Sequence, residues 1–259
     1  MKLKKELITL RDPKSPVSEI FRTLRTNIQF MNSKNGLKVL HVTSTSPSEG
    51  KSWVTSNLAV TFAQAGKKVV LIDCDMRKGR QFSIFGAKPT PGLSNLLTGV
   101  DSNGQELDNN IFQYIQQTVI ENLYLISSGN VPPNPSELLT SEQMNILVES
   151  LKNSFDLIIL DGTPCNLVTD SIVLTRYADS TLIVAAYKQT KMEDLKRVKR
   201  DIENVGGKIA GVVMNKMPIS NKEYYTKYYY GDSNMPSVKR KHKAMKGTDS
   251  DYRKEDLMW

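Results

Sequence analysis

Long apolar runs are absent from this sequence of 259 residues. No stretch approaches the roughly 20 apolar residues that a membrane-spanning helix needs. The basic start, MKLKKELITLRDPKSP, is also not followed by the apolar segment of a signal peptide. These two absences disfavour a membrane-spanning or secreted protein, and we expect a cytoplasmic one.

Cysteine is scarce as well, because the chain has only 2, Cys74 and Cys165. They are far apart in the sequence, and neither belongs to a closely spaced pair of the kind that binds zinc. A disulfide framework and a cysteine-based metal site are therefore disfavoured. We expect two free thiols.

The composition is that of an ordinary folded protein, with 39% hydrophobic and 24% charged residues. The length suits one α/β domain with flanking segments, which we place at residues 1–36, 37–216 and 217–259. The formal net charge of +8 indicates an acidic partner. Charge alone leaves open whether that partner is nucleic acid, anionic lipid or an acidic protein.

The fold class follows from the alternation of two patterns. Short apolar runs rich in β-branched residues predict strands, and segments with helical spacing lie between them, such as residues 54, 58, 62 and 65 before Gly66. Strands that are apolar on both faces and alternate with helices form a mostly parallel sheet with helices on both faces. The predicted strands are 37–43, 68–73, 123–127, 155–161, 180–187 and 208–215.

A phosphate-binding loop follows the first predicted strand. The sequence STSPSEGKS, residues 44–52, leads directly into a helix, so that loop N–H groups and the positive helix end can surround a phosphate. Lys51 is placed to reach the β- and γ-phosphates, and the Ser52 hydroxyl to bind Mg²⁺. Thr45 stands where the G-x-x-x-x-G-K-[ST] pattern has its first glycine. A fortuitous Gly-Lys-Ser at the start of a surface helix is the alternative.

Three aspartates end two other predicted strands at the same edge of the sheet. Asp73 and Asp75 close the run VVLIDCD with their side chains on one side, and Asp161 closes LIILD. A lone aspartate at a strand end more often caps a turn or a helix. Three of them beside a phosphate loop favour nucleotide chemistry, with Asp161 as the Walker B residue that arranges water on Mg²⁺.

With these motifs the chain resembles the cytoplasmic kinases of the bacterial protein tyrosine kinase family, P-loop NTPases that serve capsule and exopolysaccharide synthesis. The resemblance covers most of the chain. It implies ATP and Mg²⁺ as cofactors, and it makes Asp73 the base for an attacking tyrosine hydroxyl. The matching segments are SPSEGKS, VVLIDCDMRK as a second Walker A element, LIILDGTPCNLVTD as Walker B, and PPNPSELL at residues 132–139.

The resemblance implies site residues in three roles. The catalytic residues are Lys51, Asp73, Asp75 and Asp161. The ATP contacts are Ser46, Pro47, Ser48, Glu49, Gly50, Lys51, Ser52, Trp53 and Asn215. The Mg²⁺ ligands are Ser52, Asp73 and Asp161.

A helix is predicted at residues 18–31, with its first residue as the N-cap after Pro16. Glu19, Arg22 and Arg25 lie three residues apart on one face of this helix. The resemblance implies that this E-x-x-R-x-x-R face contacts a neighbouring subunit and so builds a ring. A solvated face with ion pairs within the helix is the alternative.

A tyrosine cluster follows the last predicted strand, within a polar and charged segment that we expect to be a mobile tail. The resemblance implies that these tyrosines accept phosphate in the active site of a neighbouring subunit. An aromatic segment that binds a partner is the alternative reading, and it is compatible with the first. The cluster consists of Tyr224, Tyr225, Tyr228, Tyr229 and Tyr230.

The chain departs from the common P-loop pattern in one place and from the family pattern in two. Trp53 stands where many P-loop proteins have a small hydroxyl residue, so we expect one phosphate contact to be missing. Gly162 and Thr163 follow Asp161, where the family commonly has threonine and proline. The segment after Gly231 continues where many relatives stop, with Lys239, Arg240, Lys241, His242, Lys243 and Tyr252.

The function that the resemblance implies is ATP-dependent phosphorylation of the tyrosine cluster, on the same chain or on a neighbour, with regulation of capsular or exopolysaccharide synthesis and export. The implied partners are a transmembrane adaptor of the polysaccharide co-polymerase type, further copies of the chain and a cognate tyrosine phosphatase. The adaptor would hold the kinase at the inner face of the membrane. No nucleic acid is expected.

Two functions of other classes remain open. An ATP-switched partitioning or positioning protein of the ParA/MinD type shares the fold, but such proteins generally have lysine where this chain has Ser46, and they need no tyrosine-rich tail. A DNA- or lipid-binding surface is the second, although Glu193, Asp194 and Asp201 favour an ordinary solvated helix. Its basic residues are Lys188, Lys191, Lys196, Arg197, Lys199 and Arg200.

Overall fold

The central sheet contains all six strands that the apolar runs predict. A computed structural model describes residues 6–31, 36–101, 103–107 and 110–218. The strands are β1 Val39–Ser44, β2 Val69–Asp73, β3 Gln116–Gln117, β4 Leu123–Ile126, β5 Leu157–Pro164, β6 Ser180–Ala186 and β7 Ile209–Asn215. Their order is β3-β4-β2-β5-β1-β6-β7, and every neighbouring pair is parallel except β3 with β4. The predicted mostly parallel sheet is therefore confirmed.

Helices cover both faces of this sheet. They are α1 Ile8–Arg11, α2 Pro16–Met31, α3 Lys51–Gln64, α4 Gln81–Phe85, α5 Leu93–Thr98, α6 Pro135–Leu139, α7 Glu142–Ser154, α8 Asp170–Leu174 and α9 Met192–Asn204. Alternate residues of β2 belong to different cores: Val69 and Leu71 pack with α2 and α3, whereas Val70 and Ile72 pack with α5 and α7. This division explains why the strand is apolar at every position.

Helix α3 is buried on nearly all sides, although its sequence suggests a single apolar face. Helices α1 and α2 pack on the side turned away from the sheet. There Asn57 Oδ1 accepts hydrogen bonds from Thr9 N (3.1 Å) and Thr9 Oγ1 (3.0 Å). Ala65, predicted to lie on the apolar face, is exposed instead, because the helix ends one residue earlier at Gln64.

Helix α2 begins two residues before the predicted start. Pro16 is its first residue, and Ser15 Oγ accepts a hydrogen bond from Ser18 N at 3.2 Å. Ser15 is therefore the N-cap, and Pro16 takes the first helical position that proline favours. Ser18, predicted as the cap, lies buried inside the first turn, where its Oγ donates to Asp12 O at 2.7 Å.

The two edges of the sheet differ from the prediction. Strand β7 was predicted to be buried, but Val212 and Met214 are 47% and 46% exposed because an edge strand has a neighbour on one side only. Strand β3 was not predicted, since two consecutive glutamines carry no apolar pattern. Within the described ranges, no helix is both long and apolar enough to cross a bilayer.

Candidate active site

The carboxyl ends of β1, β2 and β5 bring the phosphate loop and the aspartates together. Strands β2 and β5 pair in register, so that Asp73 lies directly opposite Asp161. Strand β1 pairs with β5 on its other side and leads into the loop before α3. Lys51 Nζ, at the start of α3, lies 2.7 Å from Asp161 Oδ1. The lysine and two of the predicted aspartates therefore form one cluster.

Two residues of the loop before α3 have a left-handed backbone conformation. Ser48 has φ of 63° and Gly50 has φ of 87°. A Cβ on Gly50 would also collide with the side-chain amide of Asn215. The first hydrogen bond of α3 runs from Val54 N to Gly50 O (3.0 Å), so the N–H groups of residues 51–53 precede the helical ladder. Such a helix start attracts anions.

Asp161 accepts three hydrogen bonds and is completely buried. Besides Lys51, its donors are Thr55 Oγ1 at 3.1 Å and Gln81 Nε2 at 2.7 Å. Burial by itself lowers the pKa of Lys51, but the charges of Asp161, Asp75 and Asp73 outweigh it and raise that pKa overall. The lysine is therefore held in its cationic form.

Asp73 accepts two hydrogen bonds, one fewer than Asp161. Its carboxylate accepts hydrogen bonds from Gln81 N at 2.9 Å and Asp75 N at 3.3 Å, both of them backbone groups. Burial and then the neighbouring Asp161 charge raise the pKa of Asp73 to about 7. A buried carboxyl with that pKa can take up a proton near neutral pH.

Asp75 has a structural role at this edge. Its Oδ1 accepts a hydrogen bond from Lys78 N at 2.9 Å and so caps the turn after β2. The side chain is partly buried, and burial is the main reason why its pKa is raised. Asp75 therefore caps a turn, which was the alternative to a role in nucleotide chemistry. Its negative charge also helps to raise the pKa of Lys51.

Glu49 has contacts that the loop motif does not predict. Its buried carboxylate accepts hydrogen bonds from Thr45 Oγ1 at 2.7 Å, from Ser46 N at 2.9 Å, and from Thr190 Oγ1. Its backbone carbonyl accepts from Asn215 Nδ2 at 2.9 Å. Thr45, in place of the usual glycine, therefore helps to close the loop. The same carboxylate ties the loop to the turn after β6.

The departure from the family pattern after Asp161 has a steric reason. A Cβ on Gly162 would collide with His41 Nε2 and Ser171 Oγ. His41 is buried in β1, and its Nδ1 lies 3.3 Å from Thr181 Oγ1. Burial, followed by the Lys51 charge, lowers the pKa of His41 to about 3. A neutral histidine thus occupies the space that a larger residue at 162 would need.

The predicted oligomer-contact residues are partly buried on α2. Arg22 pairs with Glu19 and donates to Pro13 O at 2.5 Å, while Arg25 donates to Thr61 O of α3 at 2.8 Å. Ion pairing within the helix, the alternative to a subunit contact, is therefore present between Glu19 and Arg22. The Trp53 ring packs edge-on against the Phe21 ring of α2, with 5.3 Å between the ring centroids.

Asp170 connects three of the sequence motifs. It is the last residue of the Walker B segment and the first of α8, and it is completely buried. Arg77, from the VVLIDCDMRK segment, donates to it through Nε at 3.1 Å. Ser136, from PPNPSELL, donates to it through Oγ at 2.5 Å. Hydrogen bonds to this one carboxylate therefore join the three motifs.

The remaining predictions on side chains have mixed outcomes. Cys74 and Cys165 are free thiols, as expected. The basic surface of α9 includes the pairs Arg197–Asp194 (3.1 Å) and Lys199–Glu203 (3.0 Å), which are typical of a solvated helix. The tyrosine cluster, the basic segment at 239–243 and Tyr252 lie outside the described residues.

Comparisons with known proteins match the part of the chain that contains these motifs. A family model described as an AAA domain matches residues 37–213. CapB of Staphylococcus aureus is 40% identical over 221 residues, which cover 85% of this chain and 92% of CapB. The tyrosine-protein kinase YwqD of Bacillus subtilis (strain 168) is 35% identical over 230 residues, which cover 89% of this chain and 93% of YwqD.

Two solved structures differ in how similar they are to this chain. The chimerical protein CapA2B2 superposes with a TM-score of 0.76 at 37% identity, covering 85% of this chain and 93% of that one. The cell division ATPase MinD of Pyrococcus furiosus reaches 0.59 at 24% identity, covering 71% and 73%. The second likeness shows the fold alone. The chain belongs to the family of bacterial tyrosine-protein kinases within the P-loop NTPases.

Proposed function

We propose that this chain is an ATP-dependent protein tyrosine kinase that phosphorylates the tyrosine cluster at residues 224–230, on itself or on a neighbouring copy. The observation that carries the proposal is the buried cluster of Lys51, Asp161 and Asp73 at the start of α3. It combines a fixed cation, a hydrogen-bonded carboxylate and a carboxyl with a pKa of about 7. Phosphoryl transfer needs this combination of charge and proton acceptor.

The residues at this edge fit a nucleotide with Mg²⁺. The N–H groups of residues 51–53 and the Lys51 ammonium suit phosphate oxygens. Ser52 Oγ, 3.3 Å from Lys51 Nζ, and the Asp161 carboxylate are oxygen donors, which Mg²⁺ prefers. Among the described residues, no group of three or more histidine, cysteine or acidic side chains could hold a metal. Mg²⁺ would therefore take its other ligands from phosphate and water.

Each residue then has a defined task. Lys51 neutralises charge on the transferred phosphoryl group, and Asp161 would orient water on Mg²⁺ when the metal is bound. Asp73 accepts the proton of the tyrosine hydroxyl, whose ordinary pKa is about 10. When bound, Mg²⁺ supplies positive charge to the β- and γ-phosphates. Asn215 and Glu49 shape the loop that holds the nucleotide.

The cellular setting is part of the same proposal. On the family resemblance, the proposal includes a transmembrane adaptor that would hold the kinase at the membrane and activate it during capsule or exopolysaccharide synthesis. Glu19, Arg22 and Arg25 would contact a neighbouring subunit, so that the tyrosine cluster of one copy reaches the site of another. A tyrosine phosphatase would reverse the modification.

The test is phosphotyrosine formation by the purified chain in MgATP, with a soluble adaptor segment added in a parallel sample. Asp73→Asn should abolish the signal while ATP still binds, because the amide cannot accept the proton. Asp156→Asn is the matched control, since Asp156 lies just before the amino end of β5, where it accepts from Lys68 N at 2.9 Å. Undiminished phosphotyrosine in Asp73→Asn would refute the role of Asp73 as the base.

A further inference from the structure

Gln81 bonds both carboxylates of the active-site cluster. It is the first residue of α4 and is completely buried. Its backbone N donates to Asp73 Oδ2 at 2.9 Å, and its side-chain Nε2 donates to Asp161 Oδ2 at 2.7 Å. One residue therefore spans the two aspartates that end neighbouring strands.

The orientation of the Gln81 amide is fixed by α3. Its Oε1 accepts a hydrogen bond from Ser56 Oγ at 2.8 Å, and its Nε2 also donates to Ser52 O at 3.2 Å. If the amide were reversed, its oxygen would face two acceptors, the Asp161 carboxylate and Ser52 O, whereas the Ser56 hydroxyl suits either orientation. The hydrogen-bond partners thus permit a single orientation.

The two oxygens of Asp161 have different neighbours. Oδ1 faces the Lys51 ammonium and the Thr55 hydroxyl, whereas Oδ2 receives the Gln81 amide. An amide holds the carboxylate in place without adding a charge, so the negative charge remains available for water on a metal. A second cation at this position would neutralise that charge, and a carboxylate would repel it.

We propose that Gln81 is a positioning residue that holds Asp161 in the orientation needed for Mg²⁺ and its water. The proposal rests on the proposed function, because it assigns a partner to the Mg²⁺ site of the kinase. Groups that orient metal-site carboxylates in this way typically change metal affinity or activity by about 10–100-fold when they are removed. The chain of contacts runs from Ser56 through Gln81 to Asp161.

The test uses the full chain and measures ADP binding by titration calorimetry, first in EDTA and then over a range of Mg²⁺ concentrations. Gln81→Met keeps the size of the side chain and removes the amide. We expect its ADP affinity in EDTA to stay within about twofold of wild type, because the phosphate loop is unchanged, and its half-saturating Mg²⁺ concentration to rise about 10–100-fold. Gln64→Met, at the exposed end of α3, is the matched control.

A second variant keeps the inference testable if Gln81→Met does not fold. Ser56→Ala leaves Gln81 in place but removes the hydroxyl that donates to Gln81 Oε1 and so helps to hold its amide, and the Mg²⁺ requirement should rise about fivefold. A purely structural role would change ADP binding in EDTA as well. Wild-type Mg²⁺ dependence in either folded variant would overturn the role of Gln81 alone. Absence of Mg²⁺-dependent ADP binding in the wild-type chain would overturn the proposed function too.

Discussion

Charged residues are buried at the carboxyl edge of the sheet and partly exposed on the outer face of α2. At the edge, Lys51 is 6% exposed, Asp161 is completely buried, and the register of β2 with β5 places Asp161 directly opposite Asp73. On α2, the side chains of Arg22 and Glu19 remain 33% and 45% exposed, and they pair within a single turn. The edge is therefore organised by its own chain, whereas the α2 face keeps surface that a second copy could contact.

This difference decides where a substitution should matter. Interactions between charges strengthen as water is excluded, so losing one partner at the buried edge leaves another without compensation. Exposed pairs within a helix contribute at most about 0.5 kcal/mol. Substitutions at the edge should therefore change chemistry and stability, whereas those on α2 should change assembly.

Lys51→Met should have the largest effect, because it removes the fixed cation that faces the phosphoryl group. We expect the initial rate of tyrosine phosphorylation to fall at least about 100-fold, measured with labelled ATP. Lys67→Met, at an exposed position after α3, is the control and should keep the wild-type rate. A folded Lys51→Met variant with more than a tenth of the wild-type rate would contradict this assignment.

His41→Leu should change how stability depends on pH. The pKa of His41 is about 3 in the folded chain and about 6.5 when it is unfolded, so the unfolded chain binds the extra proton between these values. Wild-type stability therefore falls as pH falls through this window, by roughly 2–3 kcal/mol between pH 6.5 and 4.5. The leucine variant lacks this contribution.

The comparison of the two denaturation curves isolates His41 from other groups. The raised pKa of Asp73 has the opposite effect, since the folded chain binds that proton more tightly and loses stability as pH rises towards 7. The contribution of Asp73 to the pH dependence of stability is the same in both proteins. The difference between their denaturation curves therefore measures the contribution of His41. Parallel curves for wild type and His41→Leu from pH 6.5 to 4.5 would mean that His41 is protonated in the fold.

Glu49→Gln should weaken ATP binding about 10-fold, measured by calorimetry. An amide nitrogen would face one of the three groups that donate to the carboxylate, and an unsatisfied buried donor costs about 1–3 kcal/mol. Thr190→Val removes one donor to the carboxylate and the acceptor of Ala186 N, but it leaves the contacts of Glu49 with Thr45 and Ser46, so it should weaken ATP binding less. Thr26→Val, whose hydroxyl bonds within α2, is the control. Unchanged affinity in Glu49→Gln would show that the loop keeps its shape without the carboxylate.

Arg22→Ala should have the smallest effect on the isolated chain, changing the free energy of unfolding by less than about 0.5 kcal/mol. Its main effect should be on assembly, measured by sedimentation velocity, because the α2 face is predicted to contact a neighbouring copy. Arg25→Ala should destabilise the fold more, since Arg25 bonds the α3 backbone at Thr61. An oligomer unaffected by Arg22→Ala would contradict a subunit contact at this residue and leave it with its contacts to Glu19 and Pro13.

Sequence patterns predicted the residues that end strands and begin helices. Lys51, Asp73 and Asp161 could be placed together because parallel strands share an edge, and that edge is set by periodicity and strand order. Gln81 and Thr190 could not be placed, because they lie after turns whose path depends on packing. Thr190 reaches Glu49 across 141 positions of sequence. Thr55 was within reach of prediction, since it lies one helical turn after Lys51.

Steric complementarity was the other feature that the pattern could not reveal. Gly162 departs from the family pattern, but the sequence did not indicate that His41 fills the space beside it. The two residues lie on neighbouring strands and are far apart in sequence. The α2 start was mispredicted for a local reason, as Ser15 and Ser18 both suit an N-cap and proline decided between them. The buried surroundings of α3 depended on α1, a short helix without a clear periodic signal.

The most direct measurement maps phosphate groups by mass spectrometry after MgATP incubation of two mixed proteins. One carries Lys51→Met with the tyrosine cluster intact, and the other has an intact site with phenylalanine at positions 224, 225, 228, 229 and 230. Phosphate on the cluster of the Lys51→Met chain is the predicted result, since one copy then modifies another. Absence of phosphotyrosine from this mixture and from the wild-type chain, with adaptor segment present, would contradict the assignment of this edge as a kinase site.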